Sequence, residues 1–207
     1  LEDFVNNSVI EDNSIGVTAE PPPLTVARNY ITNPEAKLNV TGKINWGNPT
    51  TYVRGGMNVY AYNTTHTEYG IKAAKKFQFN AGTAVSVIIG AIVSWVASPG
   101  IVIAMLTSLG AVLVDNTLKY VWSPTLKVDR ISNIKGIICG GGMTIVTKNW
   151  SDYIVNNDNG KKERYTTDQY NAWYNNWSLS KLADVGYQQY RYIVGLRNTT
   201  PKASEFN

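Results

Sequence analysis

His66 and Cys139 are each the only residue of their type in the 207-residue chain. A thiol beside an imidazole can serve as nucleophile and base, but neither residue sits in a local catalytic signature. Cys139, in the stretch IICGGG, reads as a small buried apolar residue. One histidine and one cysteine do not make a zinc ligand set. Carboxylates are sparse between 69 and 151, where only Asp115 and Asp129 occur, and Asp152 and Asp158 flank a turn. The sequence has no HExxH, no GxSxG and no phosphate-binding Gly-Lys loop. Its basic residues are dispersed, without a nucleic-acid recognition motif. The reading is a protein that is not an enzyme, holds no cofactor or metal and has no nucleic-acid partner.

A second kind of chemistry is suggested by small residues. From Gly82 to Val114 no residue is charged. Gly82, Ser86, Gly90, Ser94 and Ser98 fall at every fourth position, and Gly100, Ala104 and Ser108 repeat the spacing. Residues four apart stack along one helix face, and a stripe of small ones lets helix backbones approach closely, as in membrane helices. The opposite face carries Val85, Ile88, Ile89, Ile92, Val93 and Val96, then Ile103, Leu106, Leu109 and Leu113. Ser98-Pro99-Gly100 divides the run, because Pro disfavours a helical residue before it and Gly suits a reversal. The expectation is a helical hairpin over 81–118, with arms near 81–97 and 101–118. An arm of this length spans roughly 25 Å against a hydrocarbon core of ~30 Å, so insertion into a bilayer is marginal. Lys72, Lys75 and Lys76, in EYGIKAAKKFQFN, are placed on a helix face as lipid headgroup contacts.

A third group is aromatic. In YNAWYNNW, Tyr170, Trp173, Tyr174 and Trp177 recur at i, i+3, i+4 and i+7, one face of a helix. Such a face suits core packing, a membrane interface or a ligand platform.

At the level of pattern, residues 82–114 resemble the hydrophobic helical hairpin of colicin-like channel formers and the glycine-rich helices of bacteriocins. The resemblance carries no unique motif and transfers no residue roles. With it, the functional expectation is a secreted bacterial membrane-active protein, toxin-like or bacteriocin-like, whose hairpin inserts into a lipid membrane and can form a homo-oligomer there. The competing expectation is a non-catalytic extracellular binding module in which the hairpin is only core.

The elements that position these groups follow from periodicity. The chain is 43% hydrophobic and 16% charged, with net charge +4, a weakly charged polar surface over a core of ordinary size. A chain that opens on Leu1 is read as processed or trimmed at its start, a cleaved signal peptide being one explanation. Residues 1–24, which include Pro21-Pro22-Pro23, read as an extended tail, and 201–207 as a polar one. Between them, 25–200 reads as one α+β domain. Residues 25–66 are strand-like, with NVYAYN alternating Val59 and Ala61 against Asn58, Tyr60 and Tyr62. Alternation returns after Ser123-Pro124, with Gly140-Gly141-Gly142 marking a bend or close approach. Asn159-Gly160 signals a hairpin. Gly186 is read as a helix stop, and YQQYRYIVGL as a last strand. The predicted fold is antiparallel strands packed around a central apolar helical hairpin, with an aromatic-rich helix near the C-terminus.

Overall fold

The computed structural model describes residues 30–170 and 176–206. The predicted tail at 1–24, together with Trp173 and Tyr174, lies outside the described residues. In chain order the elements are α1 (Pro34–Leu38), β1 (Thr50–Arg54), β2 (Met57–Lys76), α2 (Val85–Val96), α3 (Ile103–Ser108), β3 (Leu113–Val114), β4 (Thr117–Leu118), β5 (Thr125–Cys139), β6 (Gly142–Asn156), β7 (Lys162–Tyr170) and α4 (Leu179–Ile193). A single turn of 3-10 helix, Ala203–Phe206, follows.

Sheet, not hairpin, organises the chain. Five strands pair in the order β1-β2-β5-β6-β7. Gly55-Gly56 and Gly140-Gly141 make the tight turns after β1 and β5, all four at positive φ. Two successive left-handed residues give a turn whose twist matches the flanking strands. The predicted alternation holds at β2, where Val59 and Ala61 are buried and Asn58 and Tyr60 exposed. The expected architecture around a central helical hairpin is overturned: the chain is mainly antiparallel sheet, with few and short helices. The apolar run gives a helix of 12 residues and one of 6, and its last part is strand.

The chain divides into two compact units. Among the described residues, one comprises 30–65, 133–149, 169–170 and 176–206. Here α4 lays Leu182, Ala183 and Val185 against Val59, Ala61, Ile137, Cys139 and Ile145. A second cluster gathers Leu38, Ile44, Ile134, Met143 and Val146. The expected strand YQQYRYIVGL is instead largely the C-terminal part of α4. The side chain of Ser178 caps this helix by accepting from Lys181 N. Gly186 does not stop it. A Cβ at Gly186 would run into Ile137, so glycine is there for close helix–sheet contact.

The other unit comprises 66–132 and 150–168. Its core holds Ile88, Ile92, Leu106, Leu109, Leu118, Leu126, Val128 and Ile154. Residues 68–76, expected on a helix, continue β2. From there the chain leaves the sheet at Phe77, forms α2, α3 and the β3–β4 ribbon, and returns at β5. The two ends of this excursion are tied antiparallel. Phe77 N donates to Pro124 O at 2.9 Å, and Phe79 and Trp122 exchange both backbone bonds at 3.0 Å. Trp95, Phe77, Phe79 and Trp122 form a continuous row of ring contacts with centroids 5.5–5.9 Å apart, beyond ordinary area burial in strength.

Candidate functional site

The excursion and its flanks hold an uneven share of the charge. Residues 69–128 contain Lys72, Lys75, Lys76, Lys119 and Lys127 against Asp115 alone. That local +4 equals the net charge of the whole chain, so the remainder is neutral. The same stretch exposes Val87, Val102, Ile103, Val112, Val114, Tyr120 and Val121, each 46–61% accessible.

Local chemistry explains why these side chains point outward. Leu113 pairs with Leu118 and Val114 with Thr117, across a turn in which Asp115 and Asn116 both have positive φ. Lys119 N donates to Val112 O at 2.8 Å. Cross-strand partners share a face, and faces alternate. Leu118, on the inner face, is 2% exposed. Val112, Val114, Thr117 and Lys119 therefore lie together on the outer face. Tyr120 carries the Lys119 ammonium 5.1 Å above its ring. The helix α2 begins at this ribbon: Val85 N donates to Asn116 O at 2.9 Å, which brings exposed Val87 near the turn.

The small-residue stripe faces the same way. Val85, Ile88, Ile92 and Val96 are buried, while Gly82, Ser86, Gly90 and Ser94 are exposed. A Cβ built on Gly90 meets nothing within 4 Å. Ala104 and Ser108 of α3 are exposed, and Ser98 is half-buried. The expected close packing of two small faces is absent at these positions. Two positions of the stripe do need a glycine: Gly82, where φ is +82, and Gly100, where a Cβ would strike Tyr165 O.

Several contacts fix the excursion to the sheet of its own unit. Lys72 Nζ donates to Trp95 O at 2.8 Å, a cation on the last turn of α2, so Lys72 is held in the fold. Lys75 lies 5.1 Å over the Phe77 ring, and Lys76 is exposed. The end of α3 is held by two asparagines: Asn156 and Asn159 each donate through Nδ2 to Leu109 O, at 2.8 and 3.1 Å. Among the described residues no helix is long and apolar enough to cross a membrane. At 1.5 Å per residue, the 12 residues of α2 reach about 18 Å.

The remaining sequence candidates are dispersed. Tyr170 closes β7 and packs on the Leu38–Ile44 cluster. Trp177 precedes α4, packs on the α4 cluster and carries Lys181 Nζ 3.9 Å over its ring. The two do not share a helix face. Cys139 is fully buried, and burial pushes its thiol pKa up, away from the reactive thiolate. His66 lies on β2. Among the described residues no cluster of three or more His, Cys, Asp or Glu is placed to hold a metal.

Sequence reasoning missed an ion pair in the same unit. Arg130 donates to Asp152 in bidentate geometry, Nε to Oδ1 at 2.7 Å and Nη2 to Oδ2 at 2.9 Å. The bond to Asp152 raises the Arg130 pKa against the opposing effect of burial. Burial, with Asp152 nearby, pushes the Tyr165 phenol up to about 12. The strand alternation that brings Arg130 and Asp152 together is legible locally, but their pairing across β5 and β6 is not. The chain matches no protein-family model, no curated protein and no solved structure.

Proposed function

We propose that the protein is a non-catalytic, peripheral membrane-binding protein that attaches to anionic bilayer surfaces through the β3–β4 ribbon and the start of α2. One observation carries this reading: the stretch that exposes Val87, Val112, Val114, Tyr120 and Val121 also carries the exposed lysines Lys75, Lys76 and Lys119 against Asp115 alone. Apolar side chains bordered by lysines suit the boundary between headgroups and acyl chains, and each lysine near an anionic surface adds roughly 1 kcal/mol. Tyrosine settles at that depth as well. Attachment here is by partial immersion of surface side chains. The Ile88, Ile92 and Leu106 core stays covered.

Co-sedimentation of the full chain with phosphatidylcholine vesicles, with and without phosphatidylglycerol, tests the reading. Binding is expected to the anionic vesicles and to weaken with salt. Lys119→Glu should reduce it roughly tenfold to thirtyfold. The Val112→Ser/Val114→Ser pair should weaken binding at high salt as well, because area burial is not screened. No binding to either vesicle, or binding indifferent to both substitutions, overturns the proposal.

A further inference from the structure

The unit formed by 66–132 and 150–168 carries a second feature, a cleft of about 140 Å³ bordered by Thr67, Tyr69, Asp129, Ile131, Tyr153 and Lys162. We propose that this cleft is a binding site for one acidic saccharide unit, a pyranose bearing a carboxylate.

The side chains are matched to such a ligand in three respects. Tyr69 and Tyr153 supply flat apolar surface for the C–H face of a sugar ring, and Tyr69 is 77% exposed. Asp129, 9% exposed, supplies a fixed acceptor for ring hydroxyls. Its Oδ1 accepts from Gly70 N at 2.8 Å and its Oδ2 faces Lys127 Nζ at 3.1 Å. Each oxygen keeps a further lone pair. Gly70 takes φ +63 to present its N–H there, so the carboxylate is oriented before any ligand arrives.

The charges choose among ligand classes. Aromatic rings beside a carboxylate would also suit a cationic ligand. Here each ring already holds a cation: Lys127 Nζ stands 5.4 Å from the Tyr69 ring centroid and Lys162 Nζ 5.4 Å from that of Tyr153. An incoming ammonium would be repelled. Asp129 neutralises Lys127, whereas Lys162 is exposed and faces the ring of Tyr153. The site is left with one surplus positive charge. A carboxylate on the sugar satisfies Lys162 while the hydroxyls reach Asp129, and a cleft of this volume takes one ring.

The test uses the full chain, with glucuronate, glucose and acetate as probes, and follows the Gly70 backbone amide by heteronuclear NMR. A ligand of this size at ordinary efficiency binds at about 1 mM. Saturable glucuronate binding is expected, at least several-fold tighter than glucose, with acetate producing no saturable shift at Gly70. Tyr69→Ser should weaken both sugars about tenfold or more, and Lys162→Gln should reduce glucuronate to the level of glucose. Both substitutions are at exposed positions, so the fold survives them. No saturable binding, acetate equal to glucuronate, or variants that bind like the parent chain would overturn the assignment.

Discussion

Gly90 and Gly186 are both helical glycines, and alanine should act on them with opposite sign. Gly90 lies in the interior of α2, where glycine costs about 1 kcal/mol relative to alanine through backbone entropy. Nothing stands within 4 Å of its Cβ position, so no packing term opposes the gain. Gly90→Ala is expected to stabilise the protein by about 1 kcal/mol, or roughly 2–4 °C in Tm for a chain of this size. Gly186 lies in α4. Its Cβ would collide with Ile137, whose own Cβ would be 3.2 Å away, and sit 3.1 Å from Thr144 Oγ1. Ile137 is fully buried and has no free direction. Overpacking of this kind costs about 1–3 kcal/mol, as much as or more than the propensity gain. Urea and thermal unfolding followed by circular dichroism measure both variants. Had Gly90 mediated the close contact of two helices, its alanine variant would lose stability; a fall in Tm for Gly90→Ala would refute the outward-facing stripe.

Two further expectations concern the unit formed by 66–132 and 150–168. Asn156, 3% exposed, donates to Leu109 O at 2.8 Å and accepts from Asp158 N at 3.0 Å. Asn156→Ala should cost about 1–3 kcal/mol, because it leaves buried groups unpaired, and should speed amide exchange at the end of α3; unchanged exchange there would count against the asparagine clamp. Tyr165 gives a pH dependence of definite sign. Its folded pKa of about 12 lies above the unfolded value of about 10. The unfolded chain therefore loses this proton first, and stability present below about pH 10 falls by roughly 2–3 kcal/mol towards pH 12. Unfolding free energies measured across that window should fall less steeply in Tyr165→Phe, and equal slopes would assign the loss to other groups.

What could be read from the residues was whatever depends on near neighbours. Val59 and Ala61 alternate with exposed partners, and Gly140-Gly141 turns the chain, because side-chain period and allowed φ are local properties. The buried face of α2, Val85, Ile88, Ile92 and Val96, was legible as apolar spacing for the same reason. The aromatic row of Trp95, Phe77, Phe79 and Trp122 was not, since Trp95 and Trp122 are 16 and 43 positions beyond Phe79 and join it only once the chain folds back on itself.

Tertiary structure decided the rest, above all where helices end and which faces stay open. The run 101–114 carries no charge, and β-branched residues such as Val112 and Val114 serve a strand as well as a helix. Its helix stops at Ser108; Asn156 and Asn159, some fifty positions onward, hold the Leu109 carbonyl. A stripe of small residues is equally suited to a neighbouring helix or to solvent. The distinction lies in what covers the other face, and the sheet covers the large residues, leaving Gly90 and Ser94 outside. Local sequence sets the period of each element, while long-range contacts choose its length and its buried side, because burial is a property of surfaces that meet only in the folded chain.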